Sequence, residues 1–477
     1  MFSRRQLLAL GLASPAYSAA LPGETHMATG VKTGELTPRS ATLWLRRTAS
    51  SLRLNNGIVR RGHQSQAVFL EPGLSPDLLE GAAPGAPGYF QVRYQSGARR
   101  RSSRLLEVDP TADFTAQLLL DGLQPATSYS FLLETRATRN GRVDGELTGR
   151  FRTLPLATSP TPAHIALLSC QMYCHMDSPD GFALYRSIER DQPNFLLSCG
   201  DNVYYDNESP IARSAPVALH HWQRMYSLPS LHSCLRHTPG FWQKDDHDTL
   251  SDDAWPSMPP GRMAPLTFAE GQKIFRDMVP APPPARPLDR SIRVGRHLEL
   301  FLTESRDYRS PNTDPDSPAK TIWGDEQKNW LFSALRSSDA TFKILVNPNP
   351  LVGPDRNSKK DNHANASFAS EGAAIRRFLR DNFPHNLIAV CGDRHWQYHS
   401  VHPDTGLHEF GCGAASDAHA GGTPGLDPAY HRFHRVLGGY LTIEVDTSSP
   451  QPLLQLTHKN VEGNPVHRHR FPGRPQA

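Results

Sequence analysis

From residue 163 onward, short apolar runs alternate with longer stretches whose apolar positions recur at helical spacing. Residues 165–169, 194–199, 343–346 and 387–391 are mostly apolar over their whole length, the pattern of strands buried on both faces. Between them, residues 182–190, 326–335 and 371–379 carry helical periodicity. Strand and helix in alternation predict a layered α/β domain, and in such sheets ligands gather beyond the carboxy-terminal ends of the strands. The run 279–287 (VPAPPPARP) reads as a polyproline-like surface connector. No internal repeat is present.

Residues 26–155 have a different rhythm. Residues 31–46 hold a turn at Thr37-Pro38 and then the alternating run Ala41-Thr42-Leu43-Trp44-Leu45-Arg46. Further on, Leu123, Pro125, Thr127, Tyr129 and Phe131 fall at every second position. That pattern resembles the tyrosine corner of fibronectin-type sandwiches, where the hydroxyl ties back to upstream backbone. Residues 151–155 supply a last strand, and the Thr/Ser/Pro-rich stretch 153–162 reads as a linker. The expectation is a fibronectin/Ig-like all-β sandwich over 26–155, followed by the α/β domain over 163–470.

Composition narrows the partners. Lys and Arg number 51 against 47 Asp and Glu, a net charge of +4, or +2 once Arg4 and Arg5 leave with the first 20 residues. Without a long basic run, nothing favours nucleic acid or an anionic membrane. The 42 prolines and 35 glycines argue against a helical bundle or coiled coil. No uninterrupted apolar stretch of about 18 residues exists, so no membrane-spanning helix is expected. The amino terminus reads as an address: Arg4-Arg5, the apolar run 7–12, then small residues with a cut after Ala20. The paired arginines point to the twin-arginine export machinery and a periplasmic or secreted destination, a route that suits an enzyme collecting its cofactor before export. Six cysteines are too few for a disulfide scaffold; Cys170, Cys199 and Cys391 each end an apolar run, where buried free thiols are the default.

Four polar elements follow strand-like runs or lie between them. Gly200-Asp201-Asn202-Val203-Tyr204 places an Asp that can bridge two metal ions and a Tyr that can return as a phenolate, a hard donor suited to a trivalent ion such as iron(III). The alternative is an Asp capping a turn. Asp245-Asp246-His247-Asp248 is costly unless solvated or neutralised by a cation. In Gly392-Asp393-Arg394-His395, residues two apart in an extended segment face the same way, so Asp393 and His395 can share one ion. In Ser169-Cys170-Gln171 the thiolate is a further donor, or simply an inert buried thiol.

Taken in this order, the series resembles the metallophosphoesterases and, more narrowly, the alkaline phosphatase D (PhoD-like) family. Residues 30–46, Ser169-Cys170-Gln171, Gly200 to Tyr205, Asp307-Tyr308-Arg309 and 323–335 carry the resemblance, which covers nearly the whole chain. It implies a β-sandwich followed by a four-layer αββα domain with a polynuclear metal centre. Carried over residue by residue, iron(III) takes Cys170, Asp201, Tyr204 and His395. Asp201 bridges to a second ion completed by Asp246 and Asp393, with Asn347 falling loosely where related enzymes supply another ligand. The all-oxygen set favours Ca2+ as that second ion over zinc.

The implied reaction is metal-assisted hydrolysis of a phosphoester substrate, phosphodiesters first and phosphomonoesters second, by water that loses its proton near neutral pH. His247 stabilises phosphoryl charge or protonates the leaving oxygen, and Arg394 either clamps phosphate or serves as an ion-pair partner. The chain departs from the family pattern at Lys244 and Asp248, where Trp and Glu are more usual, and in the Asn202 position; this bears on substrate preference. His363 and His419 lie in polar, His-containing segments, as loop turns or as extra ligands. The rival from another class is a non-catalytic cell-surface binding protein using the β-sandwich, which predicts broken metal ligands. A sulfatase is the second rival, and its Cys-x-Pro-x-Arg signature does not occur.

Overall fold

The four apolar runs become neighbouring strands in two large sheets. A computed structural model describes residues 25–473; the signal segment expected over 1–20 lies outside the described residues. The nine-stranded sheet has the order Pro465–Pro472, Leu453–Lys459, Tyr440–Asp446, Ala163–Leu168, Phe195–Cys199, Gly240–Gln243, Val31–Gly34, Ala41–Arg46, Thr115–Leu120. Its three middle strands, Ala163–Leu168, Phe195–Cys199 and Gly240–Gln243, are parallel. The seven-stranded sheet runs Arg290–Val294, Leu298–Leu302, Phe342–Asn347, Leu387–Cys391, His408–Cys412, Gln397–Val401, His431–Arg435, with a parallel centre and antiparallel edges.

Side-chain alternation along each strand sorts the core. Ile165, Leu167, Phe195 and Leu197 join Leu300, Ile344, Val346 and Val390 in one cluster shared by both sheets. The next residues along, Ala166, Leu168 and Leu196, instead meet Leu184, Ile188, Trp222 and Phe275 of the helices Ala183–Asp191, Ala215–Tyr226 and Phe268–Met278. On the seven-stranded sheet, Phe301 and Leu345 meet Leu331, Leu335, Ile375 and Leu379 of Gly324–Ser337 and Ala369–Asn382. Thr267 and Glu270 form a capping box that starts the Phe268–Met278 helix. Among the described residues, no helix is long and apolar enough to cross a membrane.

The expected tyrosine corner is present: the Gln124 backbone N–H donates to the Tyr129 hydroxyl at 2.9 Å. Strands Tyr89–Ser96, Arg99–Ser102, Ser128–Arg136 and Gly145–Arg152 form a separate sheet, with the short strand Leu106–Glu107 pairing Tyr89–Ser96. It packs Phe90, Val92, Phe131 and Leu147 against Val31, Leu43, Leu45 and Leu118. The opposing layer is not closed, however. Gly34 pairs with Gly240, so three strands of the amino-terminal segment extend the nine-stranded sheet, and one hydrophobic cluster runs across residue 155. A cleft of about 1020 Å³ lies along this seam, under the proline-rich connector.

Candidate metal centre

Five loops deliver side chains to one place by the same device. Cys170, Asp201, Asp245, Asn349 and Asp393 each stand two residues beyond the end of a strand, Ala163–Leu168, Phe195–Cys199, Gly240–Gln243, Phe342–Asn347 and Leu387–Cys391 respectively. The loops are cross-tied through backbone, Gln171 N–H to Asp201 O at 3.1 Å and Gly392 N–H to Pro348 O at 3.1 Å. Cys170, Asp201 and Asp393 have φ of 56°, 53° and 63°. For non-glycine residues this left-handed conformation costs about 1–3 kcal/mol each and persists where the surroundings over-determine it, most often at functional sites. Glycine precedes the two aspartates because the loops are pressed together. A Cβ on Gly200 would come 2.6 Å from the Asp245 Cβ, and one on Gly392 would come 2.5 Å from the Cys199 carbonyl.

Asp201 is the hub. Its Oδ2 receives Cys170 Sγ at 3.4 Å and the Tyr204 hydroxyl at 3.0 Å. That hydroxyl also lies 3.4 Å from His395 Nε2 and 3.0 Å from His419 Nε2. The other carboxylate oxygen, Oδ1, is buried without a hydrogen-bond partner. Cys170, Asp201 and His395 each bring a donor atom within 4.8 Å of the others, and so do Asp201, Asp246 and His247. One carboxylate therefore belongs to two groups of potential ligands, as a bridging residue must.

Electrostatics point the same way. Burial, then the neighbouring Asp246 and Asp245, pushes the Asp201 carboxyl well above its usual range against the pull of His247. Burial and then Asp201 push Cys170 and Tyr204 up as well, while burial and His247 hold His395 neutral. Left alone, these groups retain protons; a multiply charged cation inverts that balance by attracting the anionic forms. An orphaned carboxylate oxygen beside a thiol, a phenol and a neutral imidazole fits such a cation. Asp246 differs. Burial opposes its ionisation, but Arg306, His247 and Lys359 outweigh it and hold the carboxyl well below the usual range.

The remaining expected residues divide. His247 is brought in, its Nδ1 2.7 Å from Asp206 Oδ1 and its ring 4.4 Å from that of Tyr204. Burial would lower its pKa, yet Asp206 and Asp246 raise it well above the ordinary imidazole value. Arg394 is not free to clamp phosphate. Its guanidinium is 1 % exposed, with Nη2 2.9 Å from Asp361 and 2.5 Å from Asp393, and Nε 3.3 Å from Asp355. It fixes Asp393 as an ion-pair partner.

Asn347 is turned away. Its Oδ1 accepts from Thr303 at 2.7 Å and from Trp323 Nε1 at 3.2 Å, and its amide donates to the Asn349 carbonyl. The asparagine that reaches the centre is Asn349, whose Nδ2 lies 2.9 Å from Asp245 and 3.2 Å from Asp393. His363 pairs with Glu371 at 2.9 Å beside Trp323, whereas His419 joins the centre and touches His175, Nδ1 to Nδ1, at 3.0 Å.

Several residues had no distinguishing sequence signal. Arg306 is fully buried and binds Asp245, with Asp246 3.5 Å from it. Lys359 sits 3.0 Å from Asp252 and 2.7 Å from Asp253. Asp245 and Asn349 did carry a signal, the fixed offset of two residues from a strand end.

Residues 165–435 match the PhoD-like phosphatase family. Alkaline phosphatase D of Bacillus subtilis (strain 168) is 21 % identical over 408 residues, covering 74 % of this chain and 67 % of that protein. A solved structure of PhoD superposes with a TM-score of 0.71 at 16 % identity, covering 97 % of this chain and 92 % of that one. Purple acid phosphatase PPD1 from yellow lupin (Lupinus luteus) seeds gives 0.60 at 11 % identity, over 92 % and 73 %. The two structural likenesses show a metallophosphoesterase-like fold with mixed sheets. With more than half of its length matched and its polar residues gathered at the strand ends, the chain belongs to the PhoD-like phosphatase family and is a phosphoester hydrolase.

Proposed function

We propose that this chain is an exported, metal-dependent phosphoesterase that hydrolyses phosphodiesters and, as a second class, phosphomonoesters. Its catalytic part over 163–470 is a four-layer αββα domain, a reading supported by the three successive hydrophobic clusters. Residues 26–155 form an accessory β-sandwich that shares a sheet with it. Arg4-Arg5 and the apolar run after them support export by the twin-arginine machinery to the periplasm or beyond.

The observation that carries the proposal is the Asp201 carboxylate, which lies within ligand distance of Cys170 and His395 on one side and of Asp246 on the other and holds one unpartnered oxygen. Cys170, Asp201, Tyr204 and His395 would hold iron(III), with His419 close enough to join them. Asp201, Asp246 and Asp393 would hold calcium, and Asn349 rather than Asn347 steadies that group by donating its amide hydrogens to Asp245 and Asp393. When bound, the ions supply Lewis acidity towards phosphoryl oxygen and a water of lowered pKa.

The protein's own groups do the rest. Asp206 orients the His247 imidazole through Nδ1 and keeps it protonated, so Nε2 can hand a proton to the leaving oxygen. Lys359, held by Asp252 and Asp253, adds positive charge that helps keep Asp246 ionised. Arg306 and Arg394 position Asp245, Asp246 and Asp393 rather than substrate.

A chromogenic phosphodiester and its matching monoester, assayed before and after chelation, test the proposal. Diester hydrolysis that chelation removes and calcium restores is the expected result. No hydrolysis of either ester by iron- and calcium-replete protein overturns it.

A further inference from the structure

A second cluster of metal-ligand side chains lies where the edge strand of the nine-stranded sheet meets two inner strands of the seven-stranded one. His399 is in Gln397–Val401 and His408 opens the paired strand His408–Cys412, whose register sets His399 opposite Phe410 and Val401 opposite His408. His467 and His469 come from Pro465–Pro472, the edge strand of the other sheet. Being two residues apart, they share one face. The His399 ring therefore lies between imidazoles from both sheets: Nδ1 is 3.1 Å from His467 Nε2, and Nε2 is 2.9 Å from His408 Nδ1. One nitrogen each of His399, His408 and His469 falls within 4.8 Å of the other two.

This arrangement is built rather than incidental. His399 is fully buried and stacks on Phe410 at 4.0 Å, His467 stacks on Phe433 at 4.6 Å, and His469 meets the edge of Phe471 at 4.6 Å. Aromatic contacts thus fix three of the rings, while His408 and His469 remain half-buried and leave a way in from solvent. Burial and mutual repulsion pull the group down, His408 and His467 to about 4, so their lone pairs are available at neutral pH. Tetrahedral coordination at about 2.0–2.1 Å sets neighbouring nitrogens about 3.3 Å apart, which the 2.9 Å between His399 Nε2 and His408 Nδ1 approaches. Imidazole is a borderline donor that suits zinc, copper or nickel and not calcium. His399 can give its Nδ1 hydrogen to His467, which leaves the Nε2 lone pair for an ion, the usual arrangement for a ligating histidine.

We propose that His399, His408 and His469 form a transition-metal site, zinc first among its ions, with His467 as the orienting partner and the fourth position open to water. The ion ties the edge strand of the nine-stranded sheet to two inner strands of the seven-stranded one, Gln397–Val401 and His408–Cys412. The site is separate from the catalytic centre: His399 lies four residues beyond His395, and no residue is shared.

The test uses full-length protein already loaded with iron and calcium, equilibrated with micromolar zinc and dialysed. Elemental analysis and thermal melting are compared with His408→Gln and His469→Gln, both at half-buried positions. The wild-type chain is expected to retain one more zinc than either variant at equal iron content, and zinc should raise its Tm but not theirs. Cobalt(II) offered in place of zinc should give the visible bands of a tetrahedral ion in the wild-type protein only. Equal zinc retention and equal Tm shifts in all three proteins, or a wild-type cobalt spectrum without those bands, overturn the proposal.

Discussion

The cluster around Asp201 and the cluster around His399 approach within four residues along the chain, at His395 and His399, yet they solve the problem of burying polar groups in opposite ways. The first gathers acids: Asp201, Asp246 and Asp393 with the Cys170 thiol and the Tyr204 phenol, on loops in which three residues adopt left-handed backbone. Burying acids together is unfavourable without cations, and Arg306, Arg394, Lys359 and His247 neutralise only part of the set. The second gathers imidazoles on sheet strands, held neutral and walled by aromatic rings. The difference teaches that donor chemistry follows from where the backbone places it. Strand ends can tolerate strain and charge, whereas the space between two sheets accepts only groups that can be buried uncharged.

The largest effect is expected from Asp201→Asn. It removes the shared carboxylate, so hydrolysis should vanish and iron content should fall, while zinc retention at the His399 cluster is unchanged. Next comes His247→Gln, expected to lower kcat by about 10²–10⁴-fold with iron content intact, because a proton donor is lost and no ligand of the iron group is. A loss of iron in that variant would move His247 from proton transfer into the metal shell.

Acid provides a third separation, read at a histidine remote from both clusters. Burial and then Arg236 pull His232 down to about 4. Its folded pKa lies below the unfolded value of about 6.5, so a penalty of about 3 kcal/mol builds as pH falls from about 6.5 to about 4, with none above that window. Melting curves across the range should show a shallower decline in His232→Gln. A decline unchanged by the substitution would assign acid sensitivity to other groups.

The smallest effect distinguishes two asparagines. Asn349→Ala should weaken calcium binding by about 10–100-fold through lost support of Asp393. Asn347→Ala should leave calcium affinity alone and lower stability by about 1–3 kcal/mol, since Thr303 and Trp323 lose a buried partner. Calcium titration and thermal melting of the pair check both statements.

That pair also marks how far the sequence could be read. Gly-Asp-x-x-Tyr and Gly-Asp-x-His were legible because their chemistry is local: an offset of two or three residues decides what shares a site. The tyrosine corner was legible for the same reason. Reading the strand before Asn347 as ending at 346 made that residue look like part of the loop; the strand includes it, and the same two-residue offset leads to Asn349. Arg306, Lys359 and Asp206 were not legible because only the tertiary fold brings them to the centre. The helix Ala215–Tyr226 escaped for another reason. His220, His221, Gln223 and Arg224 look like a solvated face, but they are buried, with Arg224 paired to Glu208 and His221 bonded to the Pro210 carbonyl. The continuation of the amino-terminal layer into the catalytic sheet hangs on Gly34 beside Gly240, a pairing no local pattern announces.

The central claim is that Cys170, Asp201, Tyr204 and His395 hold iron(III) through a phenolate. The most direct test is the visible spectrum of chelator-free protein, taken with its iron content, beside that of Tyr204→Phe. Stoichiometric iron is expected, with a tyrosinate-to-iron charge-transfer band that disappears in the variant. Iron-free, colourless protein, or a band indifferent to Tyr204→Phe, would contradict it.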